Sequence, residues 1–103
     1  MHRGEVRWYQ FARPDKRRPV VILTRDSAID FLSETTIAPI TTTIRNVPSE
    51  VILTDADGMP EECAINLYHV QTVSKAKIGG LITSLKRERM DEIRRALVFA
   101  LGS

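Results

Sequence analysis

The chain has 103 residues, and its 15 Lys and Arg against 13 Asp and Glu give a formal net charge of +2. A chain of about 100 residues can bury one core without disulfides, and its 43% hydrophobic and 27% charged residues argue against disorder. A single cysteine, Cys63, excludes an internal disulfide and a cysteine-rich metal site. No apolar run reaches the roughly 20 residues of a membrane span, and no apolar segment follows the charged N-terminus as in a signal peptide. We therefore expect one domain, residues 1–103, in the reducing cytoplasm.

The small net charge conceals an uneven distribution. Residues 1–45 hold eight basic and five acidic side chains, 46–74 hold five acidic and no basic ones, and 75–103 hold seven basic and three acidic ones. Six of the basic residues lie between Arg3 and Arg18. A concentrated positive segment indicates a local anionic ligand, and the alternative is a set of solvated surface arginines.

The first part of the chain predicts two strands. Apolar and polar residues alternate over 4–11, which is typical of a half-buried strand. A polar loop bracketed by Pro14 and Pro19 follows, and the prolines favour extended backbone at the residues before them. The run Val20 to Leu23 is continuous, apolar and largely β-branched, as in a strand covered on both faces.

The middle of the chain predicts short strands and turns. Residues 25–34 are compatible with a short helical turn or an irregular loop. In the segment 35–41, Pro39 indicates an edge or a strand end. The turn 55–60 contains Asp57-Gly58, a pair that favours chain reversal. Four segments in all predict strands here: 35–41, 51–54, 63–67 and 70–73.

The last segment predicts an amphipathic helix from about Leu85. Its apolar residues recur at helical spacing, with charged residues on the other face; they are Met90, Ile93, Leu97 and Leu101. Ser84 is the predicted N-cap and Gly102 the predicted end of the helix, while Gly79-Gly80 is expected to break the chain before it. Six or seven strands and one C-terminal helix predict a mainly β, α+β fold, a small closed or half-closed barrel.

Several kinds of site are absent from the sequence. It contains no glycine-rich phosphate loop, HExxH, CxxC or GxSxG motif, which excludes nucleotide, zinc and hydrolase-elbow sites of these types. His2 lies at the terminus, and His69 lies between predicted strands, where a surface histidine is favoured over a catalytic one. Cys63 in an alternating strand is favoured as a small core residue over a nucleophile. We therefore expect neither a metal nor a cofactor.

Two polar features remain, a cationic segment ahead of a buried strand and a threonine run with an arginine after the third strand. The first contains Lys16, Arg17 and Arg18, and the second contains Thr41, Thr42, Thr43 and Arg45. Arginine offers a planar fork of donors that matches phosphate oxygens, and a threonine hydroxyl adds a short, stiff donor. Together they indicate a phosphate-binding site, and the alternative for the threonines is ordinary β-branched strand sequence.

At these residues the sequence resembles the MazF/PemK family of toxin endoribonucleases from type II toxin–antitoxin systems. The resemblance runs through nearly the whole chain, in Arg3-Gly4-Glu5-Val6, Arg18-Pro19-Val20-Val21-Ile22-Leu23, Ile37-Ala38-Pro39-Ile40-Thr41-Thr42, Gln71-Thr72-Val73 and Leu85 to Gly102. It implies a small SH3-like β-barrel of the MazF/PemK (CcdB-like) type with a C-terminal helix, assembled as a homodimer.

The resemblance also implies an activity, the sequence-specific and metal-independent cleavage of single-stranded RNA, whether messenger, transfer or ribosomal RNA. A cognate antitoxin would inhibit it by laying an acidic, extended C-terminal tail across the toxin dimer. Carried over by motif, the catalytic residues are Arg18 and Thr41. The candidates for binding flanking phosphates and base edges are then Lys16, Arg17, Thr42, Thr43 and Arg45.

The expected reaction is transesterification, in which a ribose 2′-hydroxyl attacks the adjacent phosphorus and leaves a 2′,3′-cyclic phosphate and a 5′-hydroxyl. Because the RNA brings its own nucleophile, the protein has to supply in-line geometry and cationic stabilisation. The general base is left open. The loop 12–17 is shorter than is usual in the family and lacks the family's glutamate, a role for which Asp15 is a possible substitute. The alternative is a CcdB-type toxin, not an enzyme, that binds DNA gyrase through the last helix with Arg94 and Arg95.

Overall fold

A computed structural model describes residues 1–12 and 17–102 of the chain. Within these ranges it forms β1 (Glu5–Gln10), β2 (Arg17–Ile22), α1 (Asp26–Ile29), β3 (Glu34–Thr41), β4 (Glu50–Leu53), β5 (Cys63–Asn66), β6 (Gln71–Ser74), β7 (Ile78–Ser84) and α2 (Arg87–Leu101). Short 3-10 turns lie at Asp55–Asp57, Leu67–His69 and Lys75–Lys77. The prediction of a mainly β fold with a C-terminal helix is confirmed. Neither α-helix in the described ranges has the length and apolar content of a membrane span.

The strands form one antiparallel sheet in the order β4-β5-β3-β2-β1-β7, and β6 also pairs with β3. The long strand β3 is central, because it pairs with β2 on one edge and with both β5 and β6 on the other. The sheet therefore branches at β3, and in the described residues its outermost strands, β4 and β7, do not pair with each other. Of the two alternatives predicted, the half-closed one is confirmed and the fully closed barrel is wrong.

Apolar side chains cover both faces of the sheet where β2 meets β3. Val21 and Ala38 belong to a first core cluster, to which α2 contributes Ile93 and Ala96. The second cluster lies on the other face and contains Tyr9, Val20, Ile22, Ile29, Ile37 and Val73. Burying a side chain of this size contributes about 1.5–3 kcal/mol, so the continuous apolar run of β2 has a partner on each side.

The N-terminal segment is held by the ends of β2 and by the residues that lead into α2. The Arg3 guanidinium donates to the Leu23 carbonyl at 2.8 Å. The Gly4 N–H donates to the Ile22 carbonyl at 2.8 Å, and the Gly4 carbonyl accepts from Leu85 N–H at 2.9 Å. Gly4 has a φ of +88°, in the left-handed region that favours glycine. The start of the chain thus has a structural role in joining three elements.

The expected chain break at Gly79-Gly80 is wrong, since both glycines lie within β7. That strand pairs with β1 in a ladder interrupted by two register shifts, on either side of Arg7. A Cβ at Gly79 would lie 3.2 Å from the Trp8 carbonyl oxygen, so the glycine permits a close backbone approach. Glycine within a strand commonly marks such an irregularity, which explains why it does not end the strand.

The C-terminal helix begins later than predicted. Ser84 is not its N-cap, because Ser84 pairs with Glu5 as the last residue of β7. Lys86 occupies the N-cap position without a side-chain cap. Gly102 ends the helix at a φ of +73°, as predicted. Leu101, however, is 69% exposed, so the predicted apolar stripe does not stay buried to the end of the helix.

One turn ties the end of β4 to β7 and α2. The Thr83 hydroxyl donates to the Asp57 carbonyl at 2.9 Å, and the Arg89 Nε donates to the Asp57 carboxylate at 2.9 Å. The hydrogen bond from Arg89 keeps the pKa of Asp57 below its usual value, against the opposing effect of burial. Gly58 ends this turn at a φ of +90°.

Alanine at Gly58 tests this turn. A Cβ there would lie 2.9 Å from the Thr83 Cβ, and the left-handed backbone itself costs an alanine about 1–2 kcal/mol. We expect Gly58→Ala to lower the free energy of unfolding by about 2–4 kcal/mol, measured by urea denaturation. Gly80→Ala is the matched control, because a Cβ there meets nothing within 4 Å, and it should change stability by less than about 1 kcal/mol. Equal stabilities of the two variants would contradict the requirement for glycine at position 58 of this turn.

Alkylation tests the burial of Cys63, which is 3% exposed in the first core cluster. Burial, reinforced by nearby acidic residues, raises the pKa of this thiol to about 11. Because the thiolate is the reactive form, iodoacetamide at pH 8 should modify the folded protein on the order of a hundredfold more slowly than the urea-unfolded chain. Similar rates in both states would show that the thiol is accessible, contrary to the predicted role as a core residue.

Candidate functional site

Arg18 lies near the start of β2, which begins at Arg17 and so extends further toward the N-terminus than the apolar run that predicted it. The extension is explained by pairing with β1, where Tyr9 lies opposite Arg18 and Gln10 opposite Arg17. Arg18 is exposed at this end of the sheet. The local fold therefore places the arginine on a paired strand.

Arg18 and Thr41 lie on neighbouring strands, toward the same end of the sheet. Pairing of β2 with β3 runs from Ile22 opposite Ile37 to Val20 opposite Pro39, and Arg18 and Thr41 each lie two residues beyond this last pair. Because side chains alternate along a strand, Arg18 shares the face of Val20 and Thr41 shares the face of Pro39. The two residues predicted as catalytic thus lie on adjacent strands, at one end and on one face of the sheet.

The Thr41 hydroxyl is oriented by a local hydrogen bond. Its Oγ1 accepts the backbone N–H of Thr43 at 3.1 Å, and the side chain is half-buried. A hydroxyl that accepts in this way keeps its own hydrogen to donate elsewhere. Thr41 is therefore suited to donating to an anionic oxygen held beside Arg18.

Thr41 opens onto a cavity of about 530 Å³, which we call the Thr41 cavity. Its size is in the range of about 300–1,000 Å³ that is common for small-molecule sites. The lining residues include Thr41, Thr43, Arg45, Glu50, Asn66, Tyr68 and His69. Three residues predicted to act on substrate, Thr41, Thr43 and Arg45, are brought together here.

A carboxylate shapes the loop that carries Arg45. Glu50 Oε1 accepts the backbone N–H groups of Arg45 and Asn46, both at 3.0 Å. Asn46 has a φ of +56°, a conformation that asparagine tolerates better than most residues. The exposed Arg45 guanidinium forms no ion pair within residues 1–12 and 17–102, so it can pair with an anion at this cavity.

Arg17 and Thr42 lie away from this cavity. The Arg17 guanidinium stacks 4.7 Å from the centroid of the Trp8 ring, on the side of β2 opposite to that of Arg18. Thr42 does not line the Thr41 cavity but a mostly apolar hollow of about 240 Å³, which Trp8 and Thr41 also line. Lys16 lies outside the described residues. A substrate-binding role for these three residues stays a prediction.

A second large hollow lies beside β1. It has a volume of about 790 Å³, and its lining includes Tyr9, Gln71 and Lys77. Tyr9 is the β1 partner of Arg18, whereas the Thr41 cavity adjoins β3. Two hollows near one end of the sheet suit an elongated ligand with more than one group to bind.

Sequence reasoning missed part of this site. Asn66, Tyr68 and His69 lie at the cavity because β5 pairs with the end of β3, with Ala64 opposite Thr41. The local sequence predicts only a strand followed by a turn, and His69 in that turn was predicted to be a surface histidine. His69 is exposed, as predicted, but it lines the cavity. Only the pairing of β5 with β3, which local sequence does not show, reveals that His69 lies at the cavity.

The arrangement can bind an anion at Arg18 and Thr41 and a further group in each hollow. In the described part of the chain, no three His, Cys, Asp or Glu side chains are grouped so as to hold a metal ion. The described histidines, His2 and His69, lie far apart in the sequence, and only His69 lines the Thr41 cavity. The chemistry available at the site is thus cationic and hydrogen-bonding.

Comparison with known proteins gives a family. Residues 2–101 match the model of the PemK-like, MazF-like toxins of type II toxin–antitoxin systems. The chain is similar to the probable endoribonuclease MazF5 of Mycobacterium tuberculosis, with 44% identity over 100 residues that cover 96% of this chain and 91% of that one.

Solved structures agree with this assignment. The toxin MazF-mt6 of Mycobacterium tuberculosis superimposes with a TM-score of 0.88 at 30% identity, covering 95% of this chain and 96% of that one. A mycobacterial endoribonuclease solved with its cognate antitoxin has the same fold, with a TM-score of 0.88 at 22% identity over 99% of this chain and 95% of that one. This chain therefore belongs to the PemK-like, MazF-like toxin family of type II toxin–antitoxin systems.

Proposed function

We propose that this protein is an endoribonuclease toxin that cleaves single-stranded RNA, and that residues 1–103 act as its single domain. The observation that carries the proposal is that Arg18 and Thr41 lie on neighbouring strands at one end of the sheet, where Thr41 lines a cavity that Arg45 also lines. Relatives named endoribonucleases, one of them 44% identical, support the same activity. These relatives favour a nuclease over a CcdB-type protein that binds gyrase.

The proposed reaction is transesterification within the RNA. A ribose 2′-oxygen forms a bond to the adjacent phosphorus, the bond to the 5′-oxygen breaks, and a proton passes from the 2′-hydroxyl to the solvent and from the solvent to the leaving oxygen. Arg18 binds the non-bridging oxygens through its planar fork, and Thr41 donates to the same phosphate. Both contacts strengthen as negative charge builds up at phosphorus, which lowers the barrier. The general base is left open, and Asp15 lies outside the described residues.

The Thr41 cavity and the hollow beside β1 support a single-stranded substrate. Unpaired nucleotides can turn their bases into such hollows, whereas a duplex keeps them stacked and paired. Thr43 and Arg45 at the Thr41 cavity, and Lys77 at the hollow beside β1, are placed to contact flanking phosphates or base edges. The choice of cleavage sequence then depends on which bases these two hollows accept.

The partners follow from the family. A type II toxin has a cognate antitoxin, and we propose that its acidic, extended C-terminal tail competes with RNA for the face that carries Arg18 and Arg45. We further propose that two copies form a homodimer, as the family resemblance implies, and thereby lengthen this face. Messenger RNA lies in the cytoplasm, which is the compartment we propose for the toxin.

Substitution of Arg18 or of Thr41 tests the proposal. Arg18→Ala and Thr41→Val should each lower the rate of single-stranded RNA cleavage in EDTA by about 100-fold or more, because each removes a donor that stabilises the transition state. Circular dichroism and urea denaturation should show both variants folded, since both side chains lie at the end of the sheet.

Arg95→Ala is the matched control, because it removes one positive charge from an exposed position on α2. We expect it to cleave at close to the wild-type rate. Thr41→Ser, which keeps the hydroxyl, should retain much of the activity that Thr41→Val loses. Full activity in Arg18→Ala, or loss of wild-type cleavage in EDTA, would overturn the proposed mechanism.

A further inference from the structure

Tyr68 presents an aromatic ring to solvent from a well-anchored turn. The side chain is 70% exposed, although it directly follows Leu67, which is 1% exposed in the first core cluster. The Leu67 N–H also donates to the Ser49 carbonyl at 2.9 Å. A large exposed ring on a fixed backbone at the edge of a cavity is typical of a contact surface, because it adds area at little conformational cost.

The Asn66 side chain fixes both aromatic residues of the turn. Its Oδ1 accepts the Tyr68 N–H at 3.1 Å, and its Nδ2 lies 3.3 Å from His69 Nδ1. Because Nδ2 can only donate, His69 Nδ1 is the acceptor, and the neutral imidazole carries its proton on Nε2. The two rings are held edge to face, with centroids 6.3 Å apart and an angle of 76° between planes.

The lining of the Thr41 cavity favours a neutral, flat group at this turn. Tyr68 and His69 supply ring faces, and the Nε2–H of His69 supplies a donor. The Glu50 carboxylate also lines the cavity, where it accepts the backbone N–H groups of Arg45 and Asn46. A nucleobase carries no charge, and aromatic rings stack on bases of any sequence.

We propose that Tyr68 and His69 form a base-binding subsite for the nucleotide next to the phosphate held by Arg18 and Thr41. The inference rests on the proposed function and adds to it the residues that bind a base. Tyr68 stacks on the base, and His69 donates from Nε2 to a base edge. The subsite places that nucleotide in the cavity which Thr41 borders, so it contributes to binding and to sequence choice.

Binding of an uncleavable RNA analogue tests this subsite in the full chain. The probe is a short random-sequence single strand in which fluorine replaces every 2′-hydroxyl, so that it lacks the nucleophile. Fluorescence anisotropy should show that Tyr68→Ala raises the dissociation constant by about 5- to 150-fold, the range typical of one lost stacking contact. Tyr68→Phe keeps the ring and should stay within about twofold of the wild type.

Phe31→Ala is the control for loss of an exposed ring outside the cavity, since Phe31 is 87% exposed. It should leave binding unchanged. On cleavable RNA, Tyr68→Ala should raise KM more than it lowers kcat, and sequencing of the cut ends should show a relaxed preference at one position beside the cut.

Three results would overturn the inference. If the wild type cleaves RNA and Tyr68→Ala binds the analogue and cuts at the same sites as the wild type, the subsite is wrong while the proposed function stands. If Tyr68→Ala binds an acidic peptide more weakly than the wild type does but binds the RNA analogue equally well, the surface belongs to a protein partner instead. If the wild type neither binds the analogue nor cleaves RNA, the proposed function fails and the subsite fails with it.

Discussion

The antiparallel pairing of β2 with β3 is the constraint on which both the core and the candidate site depend. Where the strands are fully paired, Val20 and Val21 point to opposite faces and each enters a separate apolar cluster. Beyond the last pair, Val20 and Pro39, β2 extends to Arg18 and β3 to Thr41, each two residues further. Because a shift by one residue would turn every side chain to the wrong face, the burial of the valines also fixes which face the arginine occupies. The packing of the core thus contributes to the position of the site.

Two carboxylates from the acidic middle of the chain, residues 46–74, hold loops and turns of the fold in place. Glu50 accepts two backbone N–H groups and shapes the loop that presents Arg45, while Asp57 pairs with Arg89 and ties a turn to α2. These carboxylates hold the scaffold, so they leave the guanidinium of Arg45 unpaired among the described residues. A net charge of +2 therefore coexists with exposed arginines at one end of the sheet, where we propose that phosphate binds.

Much of the fold could be predicted because local patterns determine it. The continuous apolar run of β2 predicts a strand with apolar neighbours on both faces, and the helical spacing of apolar residues such as Ile93 predicts that α2 packs on the core with one face. Arg18 and Thr41 could be named from the motifs. Their place at the same end of the sheet depends on how β2 pairs with β3, which no local pattern shows. Asn66 and Tyr68 were missed because they join the site only through pairing of β5 with β3. The predictions of a chain break at Gly79 and of an N-cap at Ser84 were wrong for a related reason, because pairing with β1 extends β7 through both residues.

The central claim is that the protein cuts RNA with the ribose 2′-hydroxyl as nucleophile, at a phosphate held by Arg18 and Thr41. The most direct measurement is the chemistry of the ends that the purified wild-type protein leaves on single-stranded RNA in EDTA. Attack by the 2′-hydroxyl leaves 5′-hydroxyl ends, which a kinase labels without prior phosphatase treatment, and 2′,3′-cyclic phosphates, which are identified by mass. Ends with a 5′-phosphate and a 3′-hydroxyl would show that water attacked instead, and would overturn the proposed mechanism.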